Sequence, residues 1–394
     1  MSFRGFTYRL KPNALQEEAF LQFAGVCRLV WNLALEQRRD HWRNYQARTG
    51  DNLNYVTQAR ELTALRRETD FIRAVSQTCQ QYALKALDDA YRRFFKGIGG
   101  YPQPKKKGEH DSFTFAGRDV AVERLNRRWG RVKLPKIGWV KFRYTRNISG
   151  KITEATVSLT SLGWQISIAC KDCDVRPFAT EGAVGIDRGV AVPLMLSDGT
   201  SYMLPEQLDV LERRARKAQR ILARRKRGSN RHAKARKRVA AIRAKQARVR
   251  KHWAHVTTTE ICRNYGTVII ERLRTKDMTK SASGTVAEPG RNVSQKRGLN
   301  RAIRNVGWHQ IETMLFYKAH RLVKVDPRFT SQTCSRCGVV DSRSRKSQAS
   351  FVCSSCGFRA NADHNAALNI LHRGNTPVVE PQVTVASKRK LYPI

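Results

Sequence analysis

Two Cys-x-x-Cys pairs, Cys334 with Cys337 and Cys353 with Cys356, stand fifteen residues apart near the end of the chain. Each pair can turn two thiolates toward one tetrahedral ion, and the interval fits a zinc ribbon holding one structural Zn2+ closed to water. Asp363 follows, opening the apolar-periodic stretch Ala362-Asp-His-Asn-Ala-Ala-Leu-Asn-Ile370. A ribbon set just before an acidic helix suggests that it interrupts a larger catalytic domain.

Two more acids sit where chemistry would want them. Asp187 lies within Val184-Gly-Ile-Asp-Arg-Gly189, and Glu271 ends Val268-Ile-Ile-Glu271. A carboxylate in a buried strand is costly unless it is paired or binds metal. Each acid alone could be paired with a neighbouring arginine, Arg188 or Arg272. Two such acids on separate apolar strands, plus Asp363 at a helix start, together describe an RNase H-like site. Such a site holds two Mg2+ ions about 4 Å apart, one activating water and the other stabilising the leaving oxygen of a phosphodiester. Asp198, in Ser197-Asp-Gly199, is set aside as a turn residue. No Ser-His-Asp or phosphate-loop pattern competes.

Charge points the same way. Among 394 residues, 75 Lys and Arg face 32 Asp and Glu, a net +43. That excess repels itself unless a polyanion neutralises it, and long nucleic acid is the expected counter-ion. Nine cysteines without a secretory leader argue against a disulfide framework. Cys27, Cys79 and Cys262 suit buried thiols, and Cys170-x-x-Cys173, with no second pair nearby, reads as structural. No apolar run of about 18 residues could span a bilayer, so an intracellular, cytoplasmic protein is expected.

The elements that must position these groups can be read in outline. Residues 3–10 alternate as a strand, and Asn13 with Gln16 forms a capping box for a helix. Helical periodicity runs to about residue 97, with Val75, Cys79, Tyr82, Ala86 and Ala90 as one apolar stripe and a further helix over 26–45. After the loop 97–108, short strands are expected at 112–115, 131–134, 139–144, 155–159 and 164–169, forming a small barrel or half-barrel. The N-terminal strand pairs there most easily, making 13–97 an insertion. The strand carrying Asp187 is followed by a second at 191–196, then a helical hairpin. Its seams are Leu204, Leu208, Leu211, Ala215, Ala218 and Leu222 against Ala235, Val239, Ile242, Val249, Trp253 and Val256, with the turn at 228–230. From Arg213 to Lys251 there is no acid, and 19 of 39 residues are Lys or Arg. Phosphate binding is the expected role, with Arg224, Arg225, Lys226 and Arg227 as candidate contacts. Residues 275–297 read as a mobile loop, 299–322 as helix and 323–326 as a short strand.

In order and spacing, Tyr8-Arg-Leu-Lys-Pro12, Leu134-Pro-Lys-Ile-Gly-Trp-Val140, Gly185-Ile-Asp-Arg-Gly189, Ile270-Glu-Arg-Leu273, Ser331-Gln-Thr-Cys-Ser-Arg-Cys-Gly338 and Asp363-His-Asn-Ala-Ala-Leu-Asn-Ile370 are together specific. Over most of residues 3–374 the chain resembles TnpB (OrfB), the transposon-associated RNA-guided DNA endonuclease related to type V CRISPR effectors. The resemblance implies an α/β multidomain protein. Its parts would be a wedge strand (1–12), a helical recognition domain (13–97), a wedge β-barrel (98–180), a RuvC-like nuclease of RNase H fold (181–329 and 358–374) interrupted by the zinc ribbon (330–357), and a disordered tail (375–394). It carries Asp187, Glu271 and Asp363 over as the Mg2+-binding triad. It also implies a guide RNA, target double-stranded DNA read beside a short duplex motif, one monomer per guide RNA, and a nucleoid-associated place in a prokaryotic cytoplasm. Asn361 departs from the pattern, since many relatives carry an acid there. The rival expectations are an RNA-guided repressor without cleavage, which predicts a broken triad, and a transposase or resolvase, which leaves the N-terminal strands and the charge unexplained. A ribosome-associated protein would leave the buried acids unexplained.

Overall fold

In the computed structural model, residues 3–46, 50, 53–173, 178, 181–347 and 349–375 are described. They fall into two compact units, 3–173 and 178–375.

The first unit is built around strand β1 (Phe3–Lys11). Phe6, Tyr8 and Leu10 point inward at alternate positions, the period of two that a half-buried strand requires. Strands β2 (Ser112–Ala116), β3 (Ala121–Arg124), β4 (Trp129–Leu134), β5 (Gly138–Arg143), β6 (Lys151–Thr160) and β7 (Gly163–Lys171) complete a seven-stranded antiparallel sheet ordered β2-β6-β7-β1-β5-β4-β3. Residues 3–9 of β1 pair with β7, and Leu10 and Lys11 pair with β5.

Between β1 and β2 run helices α1 (Ala14–His41), α2 (Tyr55–Glu68) and α3 (Gln77–Phe95). The capping box at the start of α1 is formed as expected: Gln16 N donates to Asn13 Oδ1 at 2.8 Å and Asn13 N to Gln16 Oε1 at 3.2 Å. The expected stripe on α3 is rotated. Cys79 is buried, but the core face runs through Gln80, Ala83, Leu84, Leu87 and Tyr91, whereas Ala86 is exposed and Tyr82 and Ala90 only half-buried. Buried Gln80 accounts for the shift: its amide donates to Ile72 O at 2.7 Å, so a polar residue occupies the core face that an apolar-only count skips.

The second unit holds a five-stranded sheet ordered β10-β9-β8-β11-β12. Strand β8 (Ala183–Asp187) lies parallel to β11 (Thr267–Glu271), which lies parallel to β12 (Arg321–Val325). The β9 (Leu194–Leu196) and β10 (Ser201–Tyr202) pair adds the antiparallel edge. The strand expected from residue 191 begins only at Leu194. Helices α4 (Gln207–Ala223) and α5 (Asn230–Asn264) form the hairpin. The α4 seam is as expected at Leu208, Leu211, Ala215 and Ala218. On α5 the core face is Gln246, Trp253, Ala254, Thr257, Thr258, Ile261 and Cys262, and Val256 is exposed. At 35 residues α5 is twice as long as α4 with 17, and its C-terminal half packs on α7 (Trp308–Lys318) instead.

The helix expected over 299–322 is two helices, α6 (Val293–Val306) and α7, broken at Gly307, whose φ of +78° ends α6 in the left-handed conformation. Residues 275–297 carry a helical turn (Thr275–Met278), a folded-back bridge between Gly284 and Pro289, and the start of α6. Helix α8 (Ala362–Asn375) closes the described chain, so the tail expected from residue 375 starts one residue inside it, and 376–394 lies outside the described residues. Among the described residues no helix is long and apolar enough to cross a membrane.

Candidate active site and metal centre

Apolar strands carry two of the three acids to one edge. Ile186 pairs with Ile270 across β8 and β11, so the next residues, Asp187 and Glu271, leave the C-terminal ends of adjacent parallel strands side by side. Val184, Ile186, Val268, Ile269 and Ile270 are fully buried and fix that register. The third acid arrives on α8. A Cβ on Gly185 would lie 2.2 Å from Ala367 O and 2.6 Å from Leu371 N. Only glycine lets α8 pack this close to β8.

Asp363 sits in the first turn of α8, buried. Asn361 caps that turn, its Oδ1 accepting from Asp363 N at 2.9 Å and His364 N at 3.2 Å. The residue that departs from the family pattern therefore has a local structural task.

All three carboxyls are pushed toward the neutral form. Burial first, then the charges of Glu271 and Asp363, raise Asp187 to about 7, against a smaller opposing pull from Arg345. Burial also raises Glu271, offset by its bond from Thr330 and by Arg188, and raises Asp363, offset by Arg345. The arginine-pairing alternative fares poorly for the strand acids. Arg188 is buried and bound to Glu312 at 3.1 Å and to the main-chain oxygen of Glu271, not to either strand carboxylate. Asp363 does have an arginine partner, Arg345 at 3.4 Å, delivered from the ribbon. Two buried acids and the half-buried Asp187, with one direct cation among them, form a site short of positive charge, which suits divalent metal. Among the described residues only the four cysteines bring three or more ligand atoms within 4.8 Å of one another, so the carboxylates form the looser set.

The ribbon cysteines do converge. Cys334 Sγ lies 3.7 Å from Cys356 Sγ, and Cys337 Sγ 3.6 Å from Cys353 Sγ. Those separations are far too long for disulfides, and they match the edge of about 3.8 Å for a tetrahedron with Zn–S near 2.3 Å. The two knuckles repeat one hydrogen-bond pattern, Gly338 N to Cys334 O at 2.9 Å and Gly357 N to Cys353 O at 3.2 Å. The N–H groups of Cys356 and Ser355 aim at Cys353 Sγ and bring that thiol down to about 6, favouring the thiolate that zinc takes. Strands β13 (Ser350–Val352) and β14 (Arg359–Asn361) pair beside the knuckles, and Phe351 fills a small core with Cys334, Cys353 and Ala362. Cys170 and Cys173, by contrast, are buried in the first unit, with Cys173 Sγ on Ser149 O at 3.2 Å.

Arg224, Arg225, Lys226 and Arg227 are all exposed, beyond the last residue of α4 at the hairpin tip. The hairpin is partly compensated lower down. Glu212, one residue outside the acid-free stretch, binds Arg243 at 2.7 Å and Arg216 at 3.5 Å. The sequence reading missed Arg345 and Thr330, which touch Asp363 and Glu271. No spacing rule singles out either, although Asn361-x-Asp363 is a legible helix cap.

Three family models match the chain: a Cas12f1-like TNB domain over 308–370, the OrfB model described as a probable transposase over 167–282, and an OrfB helix-turn-helix domain over 1–47. A protein of Escherichia coli (strain K12), "Putative RNA-guided DNA endonuclease InsQ", is 34% identical over 381 residues, covering 94% of this chain and 92% of the relative. A "Putative RNA-guided DNA endonuclease" of Streptomyces pristinaespiralis is 30% identical over 391 residues, covering 94% and 89%. The chain belongs to the TnpB (OrfB) family. Both TnpB-like relatives align over nearly the whole length, so the likeness takes in both units. A solved "Cas12f1-sgRNA-target DNA complex" matches in fold alone, with a TM-score of 0.55 and 17% identity over 90% of this chain and 82% of that one. Over the described part of the span matched by the helix-turn-helix model, the chain has a strand and a 28-residue helix that runs straight on into the π-helix Trp42–Gln46.

Proposed function

We propose that this chain is an RNA-guided DNA endonuclease whose single nuclease site comprises Asp187, Glu271 and Asp363. One observation carries the reading: two acids at the ends of adjacent parallel strands and a third on the helix packed against them, all with carboxyls raised by burial. The sheet order, three parallel strands extended by an antiparallel edge, supports an RNase H-like, RuvC-type domain interrupted by the ribbon. The seven antiparallel strands interrupted by α1–α3 support a wedge barrel carrying a recognition insertion.

When bound, Mg2+ would supply a water of lowered pKa and neutralise charge on the leaving oxygen. The chain's own part is to bring three carboxyls to one edge, where burial favours the neutral form and a bound cation would favour the charged one. Thr330 holds Glu271 Oε1, Arg345 approaches Asp363, and Gly185 lets α8 close on the sheet. One Zn2+ on Cys334, Cys337, Cys353 and Cys356 would fold the ribbon, which has little apolar core of its own. A guide RNA and its DNA partner would neutralise the basic surface, with the hairpin 213–251 along a phosphate backbone. Base pairing would choose the target, as in another RNA-guided effector. The place of action would be a prokaryotic cytoplasm. The repressor alternative predicts a broken triad, and Asp187, Glu271 and Asp363 are all present.

The test is to express the protein with its native flanking DNA, sequence the RNA that co-purifies, and supply matching DNA with Mg2+. Guided, Mg2+-dependent cleavage is expected. No bound RNA, or cleavage that ignores the guide, overturns the reading.

A further inference from the structure

The ribbon is joined to the carboxylate site by a short strap, residues 330–335, buried at Thr330 and Cys334 and half-buried between and after them. Thr330 is 3% exposed and donates its hydroxyl proton to Glu271 Oε1 at 2.5 Å. Pro327 O, 3.0 Å from the same hydroxyl, competes for that single proton, but a carboxylate is the stronger acceptor. The bond engages Oε1 and so restrains how the carboxylate is turned.

Helix α8, which carries Asp363, holds the strap with two buried asparagines. Asn369 Nδ2 donates to Thr330 O at 2.9 Å and to Thr333 O at 2.6 Å. Asn365 Nδ2 donates to Thr333 O at 2.8 Å, and its Oδ1 accepts from Ser335 N at 3.0 Å. Ser335 lies between the first two ribbon cysteines. Asn365 is fully buried and Asn369 4% exposed, so each amide lost would strand main-chain groups away from water. Thr330 and the two asparagines thus form one chain from the thiol cluster, across the helix bearing Asp363, to the carboxylate of Glu271.

We propose that Thr330 is a positioning residue for Glu271, held in place by Asn365 and Asn369, so that a folded ribbon sets the orientation of an acid 63 residues before its first cysteine. This rests on the proposed nuclease site. Groups that orient metal ligands typically account for about 10–100-fold in metal affinity or activity.

The test uses the full chain with its co-purified RNA and compares wild type, Thr330→Val, Thr330→Ser and Asn369→Leu. Mn2+ binding is read by electron paramagnetic resonance, guided cleavage across a Mg2+ titration, and zinc content and melting temperature as controls. Thr330→Val, which keeps the shape and removes the donor, should weaken Mn2+ binding and raise half-saturating Mg2+ by about tenfold or more. Thr330→Ser should stay within about threefold of wild type, and Asn369→Leu should move the same readouts the same way but less. Retained zinc and guided DNA binding would show that the variants fold. The proposal is overturned if Thr330→Val binds Mn2+ and cleaves as wild type does, or if Ser and Val are equally impaired. If wild type neither binds Mn2+ nor cleaves, the nuclease reading itself fails, a result distinct from an unaffected Thr330→Val.

Discussion

The thiol cluster and the carboxylate cluster are built by opposite means. The four thiols come from 23 consecutive residues, and two knuckles of local hydrogen bonds bring them to 3.6–3.7 Å. The three acids lie at 187, 271 and 363, and they meet only because two strands share a register and one glycine admits a helix. Metal on the thiols would create structure that is otherwise missing, whereas the carboxylates are held by a core that folds regardless and hold their charge at some expense. A cluster written into local spacing serves stability. One assembled across the fold can be tuned by what surrounds it.

The sharpest way to break this contrast is at the acids. Asp187→Ala, Glu271→Ala or Asp363→Ala should each lower Mg2+-dependent cleavage by about 10³-fold or more, from the loss of several kcal/mol of charge stabilisation. Guided DNA binding and melting temperature should hold. A variant that cleaves at the wild-type rate would remove that acid from the site.

Cys334→Ser should behave differently. Zinc content should fall below one per chain and the ribbon lose protection from proteolysis, with cleavage down about 100-fold through Glu271 and Asp363. Full zinc and an intact ribbon in this variant would dissolve the distinction between the clusters.

Acidity tests the carboxylates. With Asp187 near 7, a proton competes with metal on the acid side, so half-saturating Mg2+ should rise about tenfold from pH 8 to pH 6. A flat dependence would mean that Asp187 is not a ligand.

The smallest effect lies away from both clusters. Replacing Arg224, Arg225, Lys226 and Arg227 by Gln should reduce the salt slope of nucleic-acid binding by up to about 4 and weaken affinity by a few fold, irrespective of base sequence. An unchanged slope would make the hairpin tip merely solvated.

Legibility in the sequence followed the same divide. The ribbon, the Asn13–Gln16 capping box and the strands bearing Asp187 and Glu271 depend on neighbours a few residues away, and local pattern reaches them. The α3 face was misplaced because buried Gln80 fills a core position through a hydrogen bond. Heptad-like spacing puts Val256 in the seam, but α5 outruns its partner and leaves Val256 exposed. Thr330 and Arg345 escaped because their importance comes from contacts 59 and 18 residues away. A polar residue of ordinary type announces no such role in advance.

The position of β1 has a consequence for how the chain is made. Strand β1 is central in its sheet, yet its partners, residues 141–142 and 165–171, are synthesised long after it. At about 5–20 residues per second, the ribosome takes on the order of ten seconds or more to deliver them. Helices α1–α3, whose contacts are mostly local, have time to form first. Until β5 and then β7 emerge, Phe6, Tyr8 and Leu10 belong to an unpaired strand with no sheet to join. Arg4, Arg9 and Lys11, interleaved with them, keep that waiting strand charged and so guard it against pairing with a neighbouring nascent copy.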